Sequence, residues 1–295
     1  MADRLREYYT DDAEISGSET KYAPGTSLPL EVSEAVKGGQ SLVGDDFSDD
    51  QLKRWFEQEK EAFFEHDAGN SDIDPWYSYM RYVNEALGFS HVGASGSMLV
   101  IGPGNGAEVS RFAHWSLTFV EASDSFKSVL KDRFPTAVVI HPQPSGQMEL
   151  EAASQDVTCA LSVLHHIPNV SAIIREIARV TRQQGLFLVR EPCSSMGDWR
   201  KPRSTTPNER GIAANLLVQI ARERGFDLVK KTPILFEPIN RFLKRTIGFT
   251  VIPFGILYGI DRVASAIVAL NDRYWRDTLL KKIGPSSYFY VFRKT

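Results

Sequence analysis

The stretch "LVIGPGNGAE", Leu99 to Glu108, places three glycines within five residues directly after a short apolar run. Glycine adopts positive φ angles readily and lets a ligand approach the backbone closely, although it loses much conformational entropy on folding. That loss is tolerated where a tight turn or a bound molecule requires it. The stretch therefore predicts a ligand on a turn that follows a buried strand.

The spacing of these glycines fits two cofactor-binding patterns. Gly102, Gly104 and Ala107 satisfy G-x-G-x-x-G/A, with which dinucleotide-binding folds hold a pyrophosphate. Gly102, Gly104 and Gly106 satisfy G-x-G-x-G, the pattern of class I S-adenosylmethionine-dependent methyltransferases. A tight turn without a ligand is the third interpretation, so other segments must decide.

An acidic residue follows the second apolar run. Glu121 ends "LTFVEAS", nineteen positions after Gly102. A carboxylate at this place can accept hydrogen bonds from both ribose hydroxyls of an adenosine. An exposed loop residue is the alternative interpretation. Because both cofactors contain adenosine, Glu121 does not discriminate between them.

From residue 98 onward, short apolar runs alternate with helical patterns, which predicts an α/β fold with a parallel sheet and helices on both faces. Such sheets bind ligands at the carboxyl ends of their strands. The apolar runs are "MLVIG", "LTFVEA", "AVVIH", "VTCALSV" and "GLFLVREP", and "SSYFYVFRK" is a further strand candidate near the end of the sequence. The helices are predicted at Ala107–His114, Phe126–Arg133, Ala172–Arg182 and Glu209–Arg224.

The segment before the sheet has a different character. Its first 45 or so residues are polar and rich in turn signals, which predicts an extended arm or flap that is mobile without ligand. A capping box at Ser48 begins one predicted helix, and a second runs from Asp74 to Gly88. We therefore divide the chain into an arm with a helical cap, residues 1–95, and a sheet domain, residues 96–295, with an insert at about 238–285.

The segment "DVTCALSVLHHIPNVSAIIREIARVTRQQGLFLVREP", residues 156–192, resembles the long signature of class I S-adenosylmethionine-dependent methyltransferases, in their small-molecule branch. With the glycine turn, the resemblance covers roughly Met98 to Pro192. It implies a seven-stranded sheet whose last strand is antiparallel. The characteristic positions are occupied by Asp156, His165, His166, Ile167, Arg179, Gly185, Glu191 and Pro192.

The resemblance implies S-adenosylmethionine as the cofactor. In one departure from the family, "HPQPSGQ", residues 141–147, has no acid for the adenine amine, so Gln143, Ser145, Gln147 or a backbone group would replace it. Aromatic rings of "PWYSYMRY", residues 75–82, either close over the methionine end of the cofactor or cover the sheet. The predicted cofactor residues are Gly102, Pro103, Gly104, Asn105, Gly106, Glu121, Ala122, Ser145, Leu161 and Tyr77.

Methyl transfer depends mainly on alignment, and it needs a base only where the acceptor must lose a proton. His165 and His166 at the end of the fourth strand and Glu191 at the end of the fifth are the candidate catalytic residues. Alternatively, the histidines shape the floor of the site and Glu191 orients a neighbour. Because base candidates exist, an oxygen acceptor is preferred over nitrogen or carbon. No metal site is predicted, since the histidines show no metal-binding spacing.

The acceptor is predicted to be a small molecule such as a natural product, a saccharide or a lipid-linked precursor. The loop after the fifth strand carries Trp199, Arg210 and other basic residues that could meet an anionic or polyhydroxylated group. The uncharged stretch Thr246–Ile260 predicts a buried lid over an apolar substrate, with peripheral membrane attachment as the alternative. It is short and interrupted for a membrane span, so no integral span is predicted.

The remaining expectations follow from composition. A net charge of -3 gives no reason to expect a nucleic-acid partner. Two cysteines and a charged N-terminal stretch favour a cytoplasmic protein. Two other functions stay open, an NAD-dependent oxidoreductase and a non-catalytic cofactor-binding subunit, and the oligomeric state is not predicted.

Overall fold

The computed structural model describes residues 26–29, 31–60, 75–197, 199, 206–236, 238 and 252–295. The strands are β1 Ser97–Ile101, β2 Ser116–Val120, β3 Val138–Ile140, β4 Gln155–Leu161, β5 Thr181–Pro192, β6 Phe226–Ile234 and β7 Ser287–Lys294. The α-helices are α1 Glu34–Lys37, α2 Asp49–Glu59, α3 Pro75–Leu87, α4 Asp124–Arg133, α5 Val170–Val180, α6 Ala214–Glu223 and α7 Phe254–Val268. Short 3-10 helices lie at Phe89–His91, Ala107–Phe112, Leu164–His166 and Ala269–Asn271.

The seven strands form one sheet in the order β3-β2-β1-β4-β5-β7-β6. Neighbours from β3 to β5 pair in parallel, whereas β7 lies antiparallel between β5 and β6. The predicted fold, with its antiparallel last strand, is therefore confirmed. The order reverses between β1 and β4, and ligands bind such sheets at this switch point.

Alternate residues of the buried strands enter two separate cores, as a period of two requires. In β1, Met98 and Val100 face a layer made by α3, α4 and α7. Leu99 and Ile101 face the opposite layer, which contains α5, α6 and Trp55 of α2. The predicted layers on both faces are thus observed.

The chain before the sheet is more firmly packed than the sequence indicates. Leu28 and Val36 are buried in the same core as β1, and the backbone N–H of Ser27 donates to Asn208 Oδ1 at 2.6 Å. Ser48 closes the predicted capping box at the start of α2. The predicted mobile arm is therefore wrong for residues 26–29 and 31–45, because Leu28, Val36, Leu42 and Val43 are buried in the core. Residues 1–25 and 30 lie outside the described part.

Two predicted helices differ from the observed ones. The segment after the glycine turn is a short 3-10 helix, Ala107–Phe112, with no side-chain cap. Helix α6 begins at Ala214 rather than at Glu209. Arg210 explains the delay: its buried guanidinium donates to the carbonyls of Val43, His165, Ile167 and Pro168, which holds residues 206–213 in an irregular path.

The described part of the insert does not form the predicted buried lid. Asp261 of α7 accepts hydrogen bonds from the backbone N–H groups at the end of β6, and the ring of Phe254 packs on Tyr79 of α3. The opposite face of α7 is exposed. Residues 239–251 of the insert lie outside the described part of the chain.

Candidate active site

A cavity of about 690 Å³ opens at the carboxyl ends of β1, β2 and β4. Its walls are the glycine turn, the end of β2, residues 142–148, the 3-10 turn after β4 and faces of α2 and α3. The volume is in the range of pockets that bind small molecules and cofactors. This is the place where the sequence predicts a ligand.

The glycine turn needs its glycines for two different reasons. Gly102 has φ of +54°, and a Cβ there would lie 2.2 Å from Val163, so glycine makes room for the protein itself. Gly104 has the same φ, but a Cβ there would meet nothing closer than Phe126 at 3.9 Å. The space above Gly104 belongs to the cavity, so a ligand can lie directly against this backbone.

Glu121 is held in place by backbone groups of the same turn. Its Oε1 accepts from the N–H of Ser123 at 2.9 Å and its Oε2 from the N–H of Gly104 at 3.2 Å. The side chain is almost buried yet lines the cavity. Each carboxylate oxygen has a second lone pair, so the oriented carboxylate can accept the two hydroxyls of a ribose.

Most of the predicted cofactor residues line the cavity. Gly106 does not line it: a Cβ on this residue would overlap the ring of Phe134, and its φ of +75° is the left-handed conformation that the turn adopts here. Ser145 is exposed outside the cavity, whereas Gln143 and Gln147 line it and are the side chains available to an adenine. The lining residues that were predicted are Gly102, Pro103, Gly104, Asn105, Glu121, Ala122, Leu161 and Tyr77.

A buried ion pair, which the sequence did not indicate, forms the wall beyond the glycine turn. Arg190 of β5 donates to both oxygens of Glu108, at 2.7 and 2.9 Å, and to Asn84 Oδ1 at 2.9 Å. Arg190 and Glu108 both line the cavity. Bidentate pairs of this kind are rigid, so they hold the turn, α3 and β5 together at the site.

His165 lies between two carboxylates. Its Nδ1 is 2.8 Å from Glu191 Oε2, and its Nε2 is 3.5 Å from Glu209 Oε1. Burial alone would lower the pKa of His165, but the charges and hydrogen bonds of Glu191 and Glu209 outweigh it and raise the pKa to about 9. The ring therefore carries a proton on both nitrogens at neutral pH, and a protonated ring cannot act as a base.

Glu191 does not reach the cavity. It is fully buried and accepts the backbone N–H groups of Val163, Leu164 and His165 as well as the His165 ring. Its carboxylate thereby fixes the turn after β4. Of the two interpretations of Glu191, the structure supports orientation of a neighbour rather than contact with an acceptor.

His166 has a different environment on the cavity wall. Its Nδ1 is 3.0 Å from Glu59 Oε2 and 3.2 Å from Thr206 Oγ1. Glu59, the last residue of α2, was missed from the sequence, although it follows Leu52 and Trp55 at helical spacing on the buried face. That spacing is the signal that could have revealed it.

Of the described residues in the loop after β5, Met196 and Glu209 line the cavity. Trp199 is buried against Trp275, and Arg210 is buried in the scaffold, so neither meets an acceptor. The other basic residues of this loop, residues 200–203, lie outside the described part. Ligand atoms of His165, His166 and Glu209 lie within 4.8 Å of one another, a grouping that could hold a metal ion. The expectation of no metal stays a prediction.

Comparison with known proteins decides which cofactor fits this site. Residues 99–189 match the family described as a methyltransferase domain. No curated protein sequence matches the chain. The cyclase SpnF, a solved structure, has a TM-score of 0.54 at 14% identity, covering 86% of this chain and 98% of its own.

A second solved structure, a chain in the complex of the Haloferax volcanii Trm112 methyltransferase activator with a methyltransferase, has a TM-score of 0.54 at 10% identity. The alignment covers 81% of this chain and 97% of the other. At such low identity the two structures show the fold alone, whereas the family match carries the activity.

The residues present fit S-adenosylmethionine. Glu121 suits its ribose, the open backbone at Gly104 suits close approach of its tail, and no pyrophosphate has to be held. The family match resolves the two cofactors that the glycine pattern left open. The chain therefore carries a class I methyltransferase domain that uses S-adenosylmethionine.

Proposed function

We propose that the protein methylates a hydroxyl oxygen of a small-molecule acceptor, and that His166 removes the hydroxyl proton. Bound S-adenosylmethionine supplies an activated methyl group. The residues that would hold it are Gly102 to Asn105, Glu121 and Ala122, on the sheet side of the cavity. The observation that carries the proposal is the pair of Glu59 and His166 on the wall of the same cavity.

Two neighbouring histidines thus have separate functions. The carboxylate of Glu59 accepts a hydrogen bond from Nδ1 of His166, which directs the lone pair of that ring to Nε2 and stabilises the imidazolium that forms when Nε2 takes a proton. His165 carries its proton throughout and holds Glu191 and Glu209 in place. The ring centroids of the two histidines lie 4.0 Å apart, so each ring limits how the other can turn.

The acceptor side of the cavity supports an apolar molecule. The wall between α2 and α3 is made mainly of apolar and aromatic side chains: Leu52, Trp55, Phe56, Trp76 and Met80. Apolar pockets with a few oriented polar groups select molecules by shape and place one reactive group. This wall favours a natural product or a lipid-linked precursor over a saccharide.

We further propose a cytoplasmic setting. Cys159 and Cys193 are both free and buried. Burial raises the pKa of both thiols, so they are poor nucleophiles that behave as small apolar side chains.

The test is a transfer assay with a methyl-labelled donor and a small-molecule extract of the source organism. The labelled product is isolated, and its new carbon–heteroatom bond is identified by NMR. We expect a methoxy group, and His166→Ala should abolish most of the label while His114→Ala, an exposed histidine away from the cavity, should not. A product methylated on nitrogen or carbon, or full transfer by His166→Ala, would contradict the proposal.

A further inference from the structure

One face of helix α7 exposes apolar side chains, while two polar side chains on its other face are buried. Asp261 and Ser265 are buried, while Val263 and Ile267 are each 63% exposed. Contiguous exposed apolar surface marks interaction sites on soluble proteins. The exposed positions between residues 255 and 270 carry no charged or hydrogen-bonding side chain: Gly255, Ile256, Gly259, Ile260, Val263, Ala266, Ile267 and Leu270.

Specific hydrogen bonds fix this orientation. The two carboxylate oxygens of Asp261 accept the backbone N–H groups of Leu235 and Phe236, each at 2.9 Å. Arg262 donates to the carbonyl of Pro233 at 2.7 Å. Turning the helix to hide its apolar face would leave these groups without their partners. The exposed apolar face is therefore a fixed feature of the fold.

A turn near the end of the helix extends the apolar surface. Leu279 and Leu280 are 82% and 76% exposed, and Ile283 is also exposed. The side-chain amide of Asn271 donates to the carbonyls of Leu280 and Ile283, at 2.7 and 2.8 Å. These two bonds fasten the turn to the helix end, so that turn and helix face form one surface, which we call the apolar platform.

Two lysines lie beside the apolar platform. Lys281 and Lys282 lie between the exposed Leu280 and Ile283. Asp277 pairs with Lys281 at 2.8 Å, so the two lysines and this aspartate together carry one net positive charge. Exposed leucines next to lysines suit a surface in which apolar chains lie beneath a layer of anionic groups.

We propose that the apolar platform binds the surface of a lipid bilayer that contains anionic headgroups. Helix α7 and its 3-10 extension, Phe254–Asn271, form the one helix in the described ranges that is long and apolar enough to cross a membrane. Because Asp261 ties it to the end of β6, we infer that the helix lies in the interface instead of spanning it. A second copy of the chain would not need the lysine pair.

The position of the apolar platform relates it to the cavity. Phe254 and Tyr258 of α7 pack on Tyr82 of α3, with ring centroids 6.2 and 5.7 Å apart. The same α3 lines the cavity with Trp76 and Met80. A bound bilayer would thus lie one helix away from the cavity. The inference does not depend on which atom of an acceptor is methylated.

Flotation of the full chain with vesicles tests the proposal. Vesicles of phosphatidylcholine alone are compared with vesicles that also contain phosphatidylglycerol. We expect the chain to float with the anionic vesicles, and Val263→Glu/Ile267→Glu to weaken partitioning roughly tenfold or more. Lys281→Gln/Lys282→Gln should weaken it about fivefold for each lysine, on anionic vesicles only.

The matched control is Val229→Glu, which changes an exposed valine of β6 outside the apolar platform and should float like the parent. Calorimetry with S-adenosylmethionine should give equal affinities for all variants, which separates membrane binding from the methyltransferase site. The proposal is overturned if the parent does not float, or if Val263→Glu/Ile267→Glu floats equally well. It is also overturned if the parent is a dimer that this variant converts to monomer, without flotation of either.

Discussion

Glu59 and His166 are 107 positions apart in the chain, yet Oε2 of the first lies 3.0 Å from Nδ1 of the second. The pair joins the last residue of α2 to the turn after β4. Trp55, one helical turn before Glu59, donates from its indole nitrogen to the carbonyl of His166 at 2.6 Å. Two contacts from α2, those of Glu59 and Trp55, thus fix the position of the proposed base.

The first prediction concerns this pair. His166→Ala should lower turnover about 10²–10⁴-fold, because it removes the proton acceptor. Glu59→Gln should lower turnover at least about tenfold, since the amide no longer stabilises the imidazolium. Affinity for S-adenosylmethionine, measured by calorimetry, should change little in both. Equal loss of cofactor affinity and turnover would show instead that His166 only shapes the floor of the cavity.

The second prediction concerns the ribose contact. Glu121→Ala should weaken binding of S-adenosylmethionine by about 1.5–3 kcal/mol, because a charge-assisted hydrogen bond is lost. Glu151→Ala, which changes an exposed acid that does not line the cavity, is the control and should bind normally. A folded Glu121→Ala that binds as tightly as the parent would refute the assignment.

The third prediction separates two glycines of one turn. Gly102→Ala should lower the free energy of unfolding by about 2–4 kcal/mol, because its Cβ would overlap Val163 and its φ is left-handed. Gly104→Ala should lower it by only about 1–2 kcal/mol, the left-handed penalty alone, but should weaken cofactor binding. Urea unfolding and calorimetry measure the two quantities. Similar unfolding energies for both variants would contradict the distinction.

The fourth prediction is a pH dependence of stability from His165. Its pKa is about 9 in the folded protein, against about 6.5 for an unperturbed histidine. The proton that His165 binds in the folded state therefore contributes on the order of 3 kcal/mol to the free energy of unfolding below about pH 6.5. This contribution is lost as the pH rises through about 9. The groups that face the ring are Glu191, Glu209 and His166.

His165→Asn provides the comparison for this titration. It should be less stable than the parent near neutral pH, and the difference should shrink toward about pH 9. Thermal unfolding of both proteins across this range measures the difference. A gap that is constant with pH would show that His165 is neutral in the folded state.

The fifth prediction is that transfer does not require a divalent metal. Glu191 and Glu209 raise the pKa of His165, so a metal ion would have to displace its proton, although His165, His166 and Glu209 lie close enough to hold one. Turnover should be unchanged after dialysis against EDTA. Loss of activity that zinc or magnesium restores would identify the three residues as metal ligands.

The sequence predicts the strands of the sheet well, because each strand is specified by a pattern of neighbouring residues. Each of β1, β2 and β4 is an apolar run followed by a turn, and Ser48 caps α2 as its capping box indicates. Long-range contacts were not predictable in the same way. Arg210 delays the start of α6 through carbonyls of distant segments, and no local pattern encodes such contacts.

The site shows the same division. Glu121, Gly102 and Gly104 line the cavity and were predicted from their spacing, whereas Glu59, Glu108 and Glu209 were not predicted. These acids act through partners on other elements, which are distant in the sequence. For the uncharged stretch Thr246–Ile260 the sequence favours a buried lid and leaves peripheral membrane attachment as the alternative, because composition does not show which face of a helix is buried. The contacts of Asp261 show that the apolar face of α7 points outward.

The contact between α2 and the turn after β4 has a consequence for how such a protein can diversify. Helix α2 supplies both an apolar wall for the acceptor and the carboxylate that orients His166. Under the proposed function, a changed or exchanged α2 would alter acceptor choice and proton removal in one event, while the glycine turn and Glu121 would keep their ligand. Acceptor choice and the activity of the proposed base would then change together.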